Sequence, residues 1–193
     1  MKYTSLPENY KEIKRVDLKK DKKVFLLINL GALLIMAVMI LIANKFIPLP
    51  ELFIKIVKNN NGEIFILWLL FPAVILYTIA HEATHGFFMK RFSGIKPKYG
   101  ITSVYAYAGS EAFFNKTQYL IITLSPVVIL GLLLLLLNLV VPIEWFWFIY
   151  FIQVSNISGA AGDLYVTYLI KKVPVDTLTQ DSGVSMVMYS KTE

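Results

Sequence analysis

The chain has 193 residues, of which 56% are hydrophobic and 17% charged, and its formal net charge at pH 7 is +6. This length suits one domain and leaves no room for a second sizeable fold. The absence of cysteine excludes disulfides and thiolate ligands, so a transition metal would have to be held by histidine and carboxylate groups. The basic residues cluster beside long apolar runs, which indicates contact with anionic lipid headgroups and not with nucleic acid.

A charged segment precedes the first apolar run. Residues 1–23 hold eight basic and four acidic residues, which predicts a solvated cytoplasmic tail. Residues 24–43 carry no charge and are long enough to cross a bilayer as a helix. Because residues 41–43 make a poor cleavage site, we expect this helix to be an uncleaved signal anchor. Residues 51–58 are expected at the membrane interface as an amphipathic turn or two.

Three further apolar runs are predicted to span the membrane, at residues 64–89, 117–141 and 145–170. Between the second and third spans, residues 99–109 are rich in glycine, tyrosine and β-branched side chains. This composition predicts a strand or a short β-hairpin. Near the end of the chain, residues 184–189 are expected to form a short strand.

These elements predict an all-α polytopic membrane protein with four transmembrane helices and a short β-hairpin-like segment after the second helix. The expected division is a basic cytoplasmic tail at 1–23, a four-helix membrane domain at 24–172 with its core at 64–172, and a cytoplasmic C-terminal tail at 173–193. All but three basic residues fall on the side of the N-terminus; the outer side keeps only Lys45, Lys55 and Lys58. The positive-inside rule therefore predicts a multi-pass protein of a prokaryotic cell membrane with both termini cytoplasmic.

The pentapeptide His81-Glu82-Ala83-Thr84-His85 holds the only two histidines of the chain. Positions i and i+4 of a helix lie on one face, so both imidazoles can reach one metal ion. Glu82 can act as the general base for a water that the metal activates. The alternative is a chance grouping that hydrogen-bonds between helices. Ionisable groups within a membrane span are costly and usually functional, so the sequence favours a zinc site.

A third ligand is expected on another span, because catalytic zinc usually takes three protein ligands and keeps a fourth position open. Depth can be estimated from the basic residues that end each span, at about 1.5 Å per residue. This places His85 and His81 at depths of about 7 and 13 Å, and Asp163 at about 12 Å. Asp163 is therefore the predicted third ligand. The alternative is that it caps a helix that resumes after Gly159-Ala160-Ala161-Gly162.

Asn156 lies seven residues before Asp163 and so on nearly the same helix face. Its amide is a candidate for holding an oxyanion or a substrate backbone group. An interhelical hydrogen bond is an equally good reading of an asparagine in a membrane span.

The sequence resembles the site-2 proteases, a family of intramembrane zinc metalloproteases, and more closely a group of small bacterial membrane proteins of the zincin peptidase type. The resemblance covers roughly residues 64–172. It rests on the histidine motif, on Leu124-Ser125-Pro126, and on the stretch from Asn156 to Asp163. It implies His81, His85 and Asp163 as zinc ligands, Glu82 as the base, and a substrate-binding hairpin after the motif helix.

The residues and the resemblance together lead us to expect a zinc-dependent intramembrane endopeptidase. Its substrates would be membrane-spanning or membrane-associated proteins, cut near the cytoplasmic side, and a strand within 99–109 would hold them extended. Two alternatives stay open: a zinc-binding membrane scaffold or sensor without protease activity, and an ion transporter component in which the same four ionisable residues relay ions.

Overall fold

A computed structural model of the chain describes residues 3–17, 20–49, 63–102 and 105–191, apart from the side chains of residues 63–67. The segment at 51–58, expected at the membrane interface, lies outside these ranges. The helices described are α1 (Lys22–Phe46), α2 (Glu63–Ser93), α3 (Lys116–Val140), α4 (Phe146–Gly159) and α5 (Ala161–Lys172).

Local side-chain caps begin α1 and α3. The Asp21 carboxylate accepts a hydrogen bond from the Val24 N–H and begins α1. Asn115 and Gln118 form a capping box at the start of α3, in which each side chain bonds the other residue's backbone N–H. A single 3-10 turn, Ile143–Trp145, joins α3 to α4.

The strands form two antiparallel sheets. Their bounds are β1 (Tyr10–Asp17), β2 (Lys98–Ile101), β3 (Ala106–Gly109), β4 (Phe113–Asn115), β5 (Leu178–Asp181) and β6 (Ser185–Lys191). The larger sheet has the order β1-β6-β5-β4, and the smaller one is the β2–β3 hairpin. The hairpin predicted at 99–109 is thus confirmed, as is the strand predicted at 184–189, which is β6.

The prediction of an all-α protein is wrong, because both terminal segments contribute to a four-stranded sheet. β1 pairs with β6 from Tyr10 opposite Lys191 to Asp17 opposite Ser185. Five of the eight β1 side chains are exposed and four of these five are charged, so the segment has the composition of a solvated tail. The backbone hydrogen bonds of an edge strand need no apolar pattern, and charged side chains are usual on such strands.

The prediction of four transmembrane helices is wrong as well. Among the described residues, only α1 and α3 are helices long and apolar enough to cross a membrane by length and composition. The run at 145–170 divides at Ala160 into α4 and α5, which have 14 and 12 residues and are each shorter than a membrane span. The side of a membrane on which each terminus lies stays a prediction, as does the division at residues 23 and 172.

The larger sheet packs against the ends of the helices. Met186 and Met188 of β6 lie in one buried cluster with Ile170 of α5, Tyr119 of α3 and Met89 of α2. This cluster holds the ends of three helices in a fixed relation. The metal-binding candidates lie one to two turns from it, so the sheet positions them indirectly.

Candidate metal centre

Three predicted ligands from two helices converge on one point. His81 and His85 lie one turn apart on α2, and Asp163 lies in the first turn of α5. The Nε2 atoms of the two histidines are 3.2 Å apart. The carboxylate of Asp163 reaches 3.3 Å from His81 Nε2 through Oδ2 and 3.5 Å from His85 Nε2 through Oδ1. Both imidazoles are buried.

Hydrogen bonding determines which nitrogen of His85 faces this point. Its Nδ1 lies 2.8 Å from the backbone carbonyl of Ile122. A carbonyl oxygen can only accept, so Nδ1 carries the proton and the neutral ring presents the lone pair of Nε2. This lone pair faces His81 Nε2 and a carboxylate. The cluster thus brings electron-rich atoms together, an arrangement that a bound cation stabilises.

The separations suit zinc in particular. Ligand atoms about 2.0–2.1 Å from a tetrahedral zinc ion lie about 3.3–3.4 Å from one another. The three observed separations, 3.2, 3.3 and 3.5 Å, agree with this spacing. Two imidazoles and one carboxylate are also a common set of catalytic zinc ligands. The donors therefore fit zinc, and three of them leave a fourth coordination position for a reactant.

The break between α4 and α5 places Asp163 at the site. α4 ends at Gly159, and the Leu164 N–H donates to the carbonyl of Ala160, which starts the new helix. Asp163 thereby falls in the first helical turn, where the helix dipole favours a negative charge. The single span predicted at 145–170 is therefore wrong here. A helix resumes near Gly159-Ala160-Ala161-Gly162, as in the alternative given for Asp163, but Asp163 lies within its first turn and not at its cap.

Glu82 is adjacent to the first histidine and faces the same cavity. It accepts a hydrogen bond from the backbone of Ala108 on β3. The edge of β3 that is not paired with β2 therefore faces the motif helix. A carboxylate held beside the ligand cluster in this way is placed for proton transfer.

A cavity of about 580 Å³ contains the ligand cluster and Glu82. One wall is α1, which contributes Phe25, Ile28, Asn29 and Ala32. Another is β3, and a third is the turn between β5 and β6. Elements from both ends of the chain thus enclose a site whose ligands lie in its middle. This volume is in the range of small-molecule and peptide binding sites.

Two tyrosines fix the β2–β3 hairpin between the motif helix and the C-terminal turn. The Tyr99 hydroxyl lies where a side chain at Gly86 of α2 would be. The Tyr107 ring lies against Gly183, whose φ of +81° also favours glycine. The hairpin is therefore packed on both sides, and its position relative to Glu82 is determined.

Asp181 and Tyr119 also line the cavity, and we did not predict a role for either one. The Tyr119 hydroxyl donates to Asp181 Oδ2, and the Gly183 N–H donates to Asp181 Oδ1. Burial raises the pKa of the Asp181 carboxyl above its ordinary value, against the opposing effect of these two hydrogen bonds. No local pattern marks this pair, because its partners are 62 residues apart.

Asn156 is fully buried and is not among the residues that line the cavity. Its side chain contacts Tyr77 on α2 and the backbone carbonyl of Val127 on α3. The structure therefore brings it near His81 through Tyr77, and not toward the space where a substrate would bind. Tyr77, one turn before His81, is a third residue for which we did not predict a role.

Two imidazoles on one helix, a carboxylate from a second helix and a neighbouring glutamate form a candidate metal centre with the ligand types of a zincin. A family model described as "Putative zincin peptidase" matches residues 74–178, more than half of the chain, and the chain belongs to this family. The match includes all four site residues and ends at the first residue of β5. No curated protein and no solved structure matches the chain. The resemblance to zincin peptidases is thereby confirmed, and the narrower one to site-2 proteases stays a prediction.

Proposed function

We propose that this protein is a zinc-dependent endopeptidase that cleaves membrane-spanning or membrane-associated proteins. The observation that carries the proposal is the convergence of His81, His85 and Asp163 beside Glu82 in one cavity. Membership of the zincin-like peptidase family supports zinc as the metal and peptide hydrolysis as the reaction.

His81, His85 and Asp163 would hold the zinc ion. When bound, zinc lowers the pKa of water and polarises a carbonyl group. Glu82 takes a proton from the attacking water as its oxygen bonds to the peptide carbonyl carbon. Glu82 then gives that proton to the leaving nitrogen as the C–N bond breaks, so that one water is consumed for each bond cleaved.

The edge of β3 that is not paired with β2 is the proposed binding site for the substrate backbone. A peptide bond within a helix is shielded by its neighbours, so a membrane-embedded substrate has to be extended locally before attack. An extended segment that pairs with Ala106–Gly109 would gain main-chain hydrogen bonds and lie beside Glu82. The small side chains of Ala106 and Ala108 leave room for it in the cavity.

The membrane setting of the reaction is supported by α1. None of the residues in its most apolar stretch is buried, and one face of the same helix lines the cavity. The exposed leucines suit contact with lipid, and include Leu26, Leu27, Leu30, Leu33 and Leu34. A substrate that approaches through the bilayer would therefore meet the site at the wall formed by α1.

Metal content and cleavage test the proposal together. Purified wild-type protein is expected to contain about one zinc ion per chain, and Asp163→Asn and His85→Ala to contain little. Glu111→Gln is a matched control, because Glu111 is an exposed carboxylate paired with Lys98. Cleavage is measured by mass spectrometry on a library of transmembrane peptides in micelles. Wild-type protein without zinc, or without cleavage of any peptide, would contradict the proposal.

Glu82→Gln separates the proposed peptidase from the two alternatives. A peptidase keeps its zinc and loses cleavage by a factor of about 10² to 10⁴, because the base is gone. A scaffold or sensor is indifferent to the change. A transporter shows zinc or proton flux in liposomes. Observation of such a flux would contradict the peptidase proposal and support a transport function.

A further inference from the structure

We infer that Tyr77 and Asn156 are positioning residues that hold His81 in one tautomer and direct its Nε2 lone pair at the metal. This inference rests on the proposed function and adds to it the residues that prepare the first ligand. It concerns a hydrogen-bonded chain of four groups on three helices, from the carbonyl of Val127 to the imidazole of His81.

The direction of every hydrogen bond in this series of four groups follows from the group that begins it, the Val127 carbonyl. The Val127 carbonyl can only accept, so the Asn156 amide nitrogen, 3.2 Å away, must donate to it. The opposite orientation of the amide would place two oxygens against each other. The amide oxygen of Asn156 therefore faces Tyr77, whose hydroxyl donates to it over 2.7 Å.

The Tyr77 hydroxyl has a single proton, and it donates this proton in the hydrogen bond to Asn156 Oδ1. Toward His81 Nδ1, 2.9 Å away, the same oxygen can only accept. His81 Nδ1 must then carry a proton, which leaves the lone pair on Nε2. This atom is the one that lies 3.3 Å from Asp163 and 3.2 Å from His85 Nε2.

The two histidines reach the same tautomer by different means. His85 uses a backbone carbonyl, that of Ile122, which no substitution of a side chain removes. His81 depends on two side chains, and one of them is fully buried. A partner that fixes the tautomer of a ligand histidine raises its affinity for metal, and loss of such a partner typically costs 10- to 100-fold.

The packing around Asn156 leaves little freedom for its amide. A Cβ atom added at Gly131 of α3 would lie 2.9 Å from the Asn156 amide nitrogen. Gly131→Ala therefore displaces the Asn156 amide without altering any of the four groups that form the hydrogen-bonded series. It provides a second variant, which tests Asn156 while the Tyr77 hydroxyl is still present.

Each variant has a matched control. Tyr150→Phe is the control for Tyr77→Phe. It removes a tyrosine hydroxyl on α4 that donates to the Met39 carbonyl on α1, outside the hydrogen-bonded series. Gly31→Ala is the control for Gly131→Ala. It adds the same methyl group on α1, where a Cβ meets nothing within 4 Å. Thermal unfolding of all four variants confirms that they are folded before any comparison is made.

Nitrogen-15 NMR of histidine-labelled protein reads the tautomers directly, since two histidines give only four ring nitrogens. Spectra are recorded without metal, on the alkaline side of the imidazole titrations. Both rings of the wild type are expected as Nδ1–H. In Tyr77→Phe the His81 signals shift toward a mixture of tautomers, while His85 does not change. A His81 signal that stays fully Nδ1–H in Tyr77→Phe overturns the inference.

Zinc affinity, measured by competition with a chelator, gives the functional readout. Tyr77→Phe is expected to bind zinc about 10- to 100-fold more weakly, and Gly131→Ala to be weakened in the same direction. Both controls should stay within about twofold of the wild type. Equal affinity in Tyr77→Phe and wild type overturns the inference and leaves the peptidase proposal intact. Absence of zinc binding in the wild type contradicts the peptidase proposal, and the tautomers of the metal-free protein can still be read.

Discussion

The Tyr99 hydroxyl of the β2–β3 hairpin occupies the place that a side chain at Gly86 would take, one residue after the second histidine of the motif. The Tyr99 ring therefore packs against the motif helix at a place where residue 86 has no side chain. This contact is one of those that hold the β2–β3 hairpin beside the motif helix, where the Ala108 backbone bonds Glu82.

Gly86→Ala is expected to displace the Tyr99 ring from the motif helix, because a Cβ at residue 86 would overlap the Tyr99 hydroxyl. Overpacking of this kind costs about 1–3 kcal/mol, so the midpoint of thermal unfolding should fall and cleavage should fall with it. The double variant Gly86→Ala/Tyr99→Ala makes room again and should recover part of the loss. Gly31→Ala, which adds the same methyl group in open space, should leave both measurements unchanged. An unchanged unfolding midpoint and unchanged cleavage in Gly86→Ala would show that the contact between Tyr99 and Gly86 contributes to neither stability nor cleavage.

Removal of zinc is expected to destabilise the protein, because the ion binds the folded chain. At a free zinc concentration of about 100 times the dissociation constant, binding contributes about 2.7 kcal/mol to the free energy of unfolding. The unfolding midpoint of the wild type should rise with added zinc and fall with a chelator. His85→Ala should show neither response. A zinc response of equal size in this variant would place the ion elsewhere.

The pH dependence of stability should differ in sign between Asp181 and Asp176. Burial raises the pKa of Asp181, so the folded chain binds its proton more tightly than the unfolded chain does. Stability from this group is present below its ordinary pKa of 3.8 and is lost as the pH rises through the raised folded value. Asp181→Asn should therefore gain in unfolding midpoint relative to the wild type as the pH rises.

Asp176 provides the control of opposite sign. Hydrogen bonds from the Lys191 backbone and the Ser190 hydroxyl lower the pKa of its carboxyl. Its contribution is present above the ordinary pKa of 3.8 and is lost as the pH falls toward the lowered value. Unfolding midpoints of wild type, Asp181→Asn and Asp176→Asn from about pH 3 to about pH 8 test both signs. Parallel curves for all three proteins would show that neither carboxyl controls the pH dependence.

A charge in the middle of α1 is expected to weaken membrane insertion. Leu34 is 66% exposed near the centre of that helix, and an arginine there costs about 2.5–3.5 kcal/mol on insertion. Leu34→Arg should move part of the protein from the membrane pellet to the supernatant in an alkaline carbonate wash. Ile13→Arg, on an exposed position of β1, serves as the control and should not alter the distribution. Equal retention of both variants would argue against α1 as a span.

Several elements could be predicted because their signals are local. The apolar runs give α1 and α3, and the glycine- and tyrosine-rich stretch at 99–109 gives the β2–β3 hairpin. Each of these predictions depends on residues that are close in the sequence. Such patterns can be recognised without knowledge of which distant segments pack against them.

The larger sheet could not be predicted in the same way. β1 carries charged side chains along most of its length and is held by backbone hydrogen bonds to β6 at the other end of the chain. The strand at 184–189 could be predicted, but neither segment carries a pattern that shows it pairs with the other. The same holds for the Tyr119–Asp181 pair and for the contact of Tyr77 with Asn156.

The sequence by itself determined the chemistry of the metal centre, since two histidines four residues apart and a neighbouring glutamate have their relation set by one helix. It also pointed to Asp163 through the depth of its apolar run. Only the tertiary structure decided how close that carboxylate comes and which nitrogen each histidine presents. It alone shows that both ends of the chain close the cavity, because those relations depend on hydrogen bonds and packing between segments that are distant in the chain.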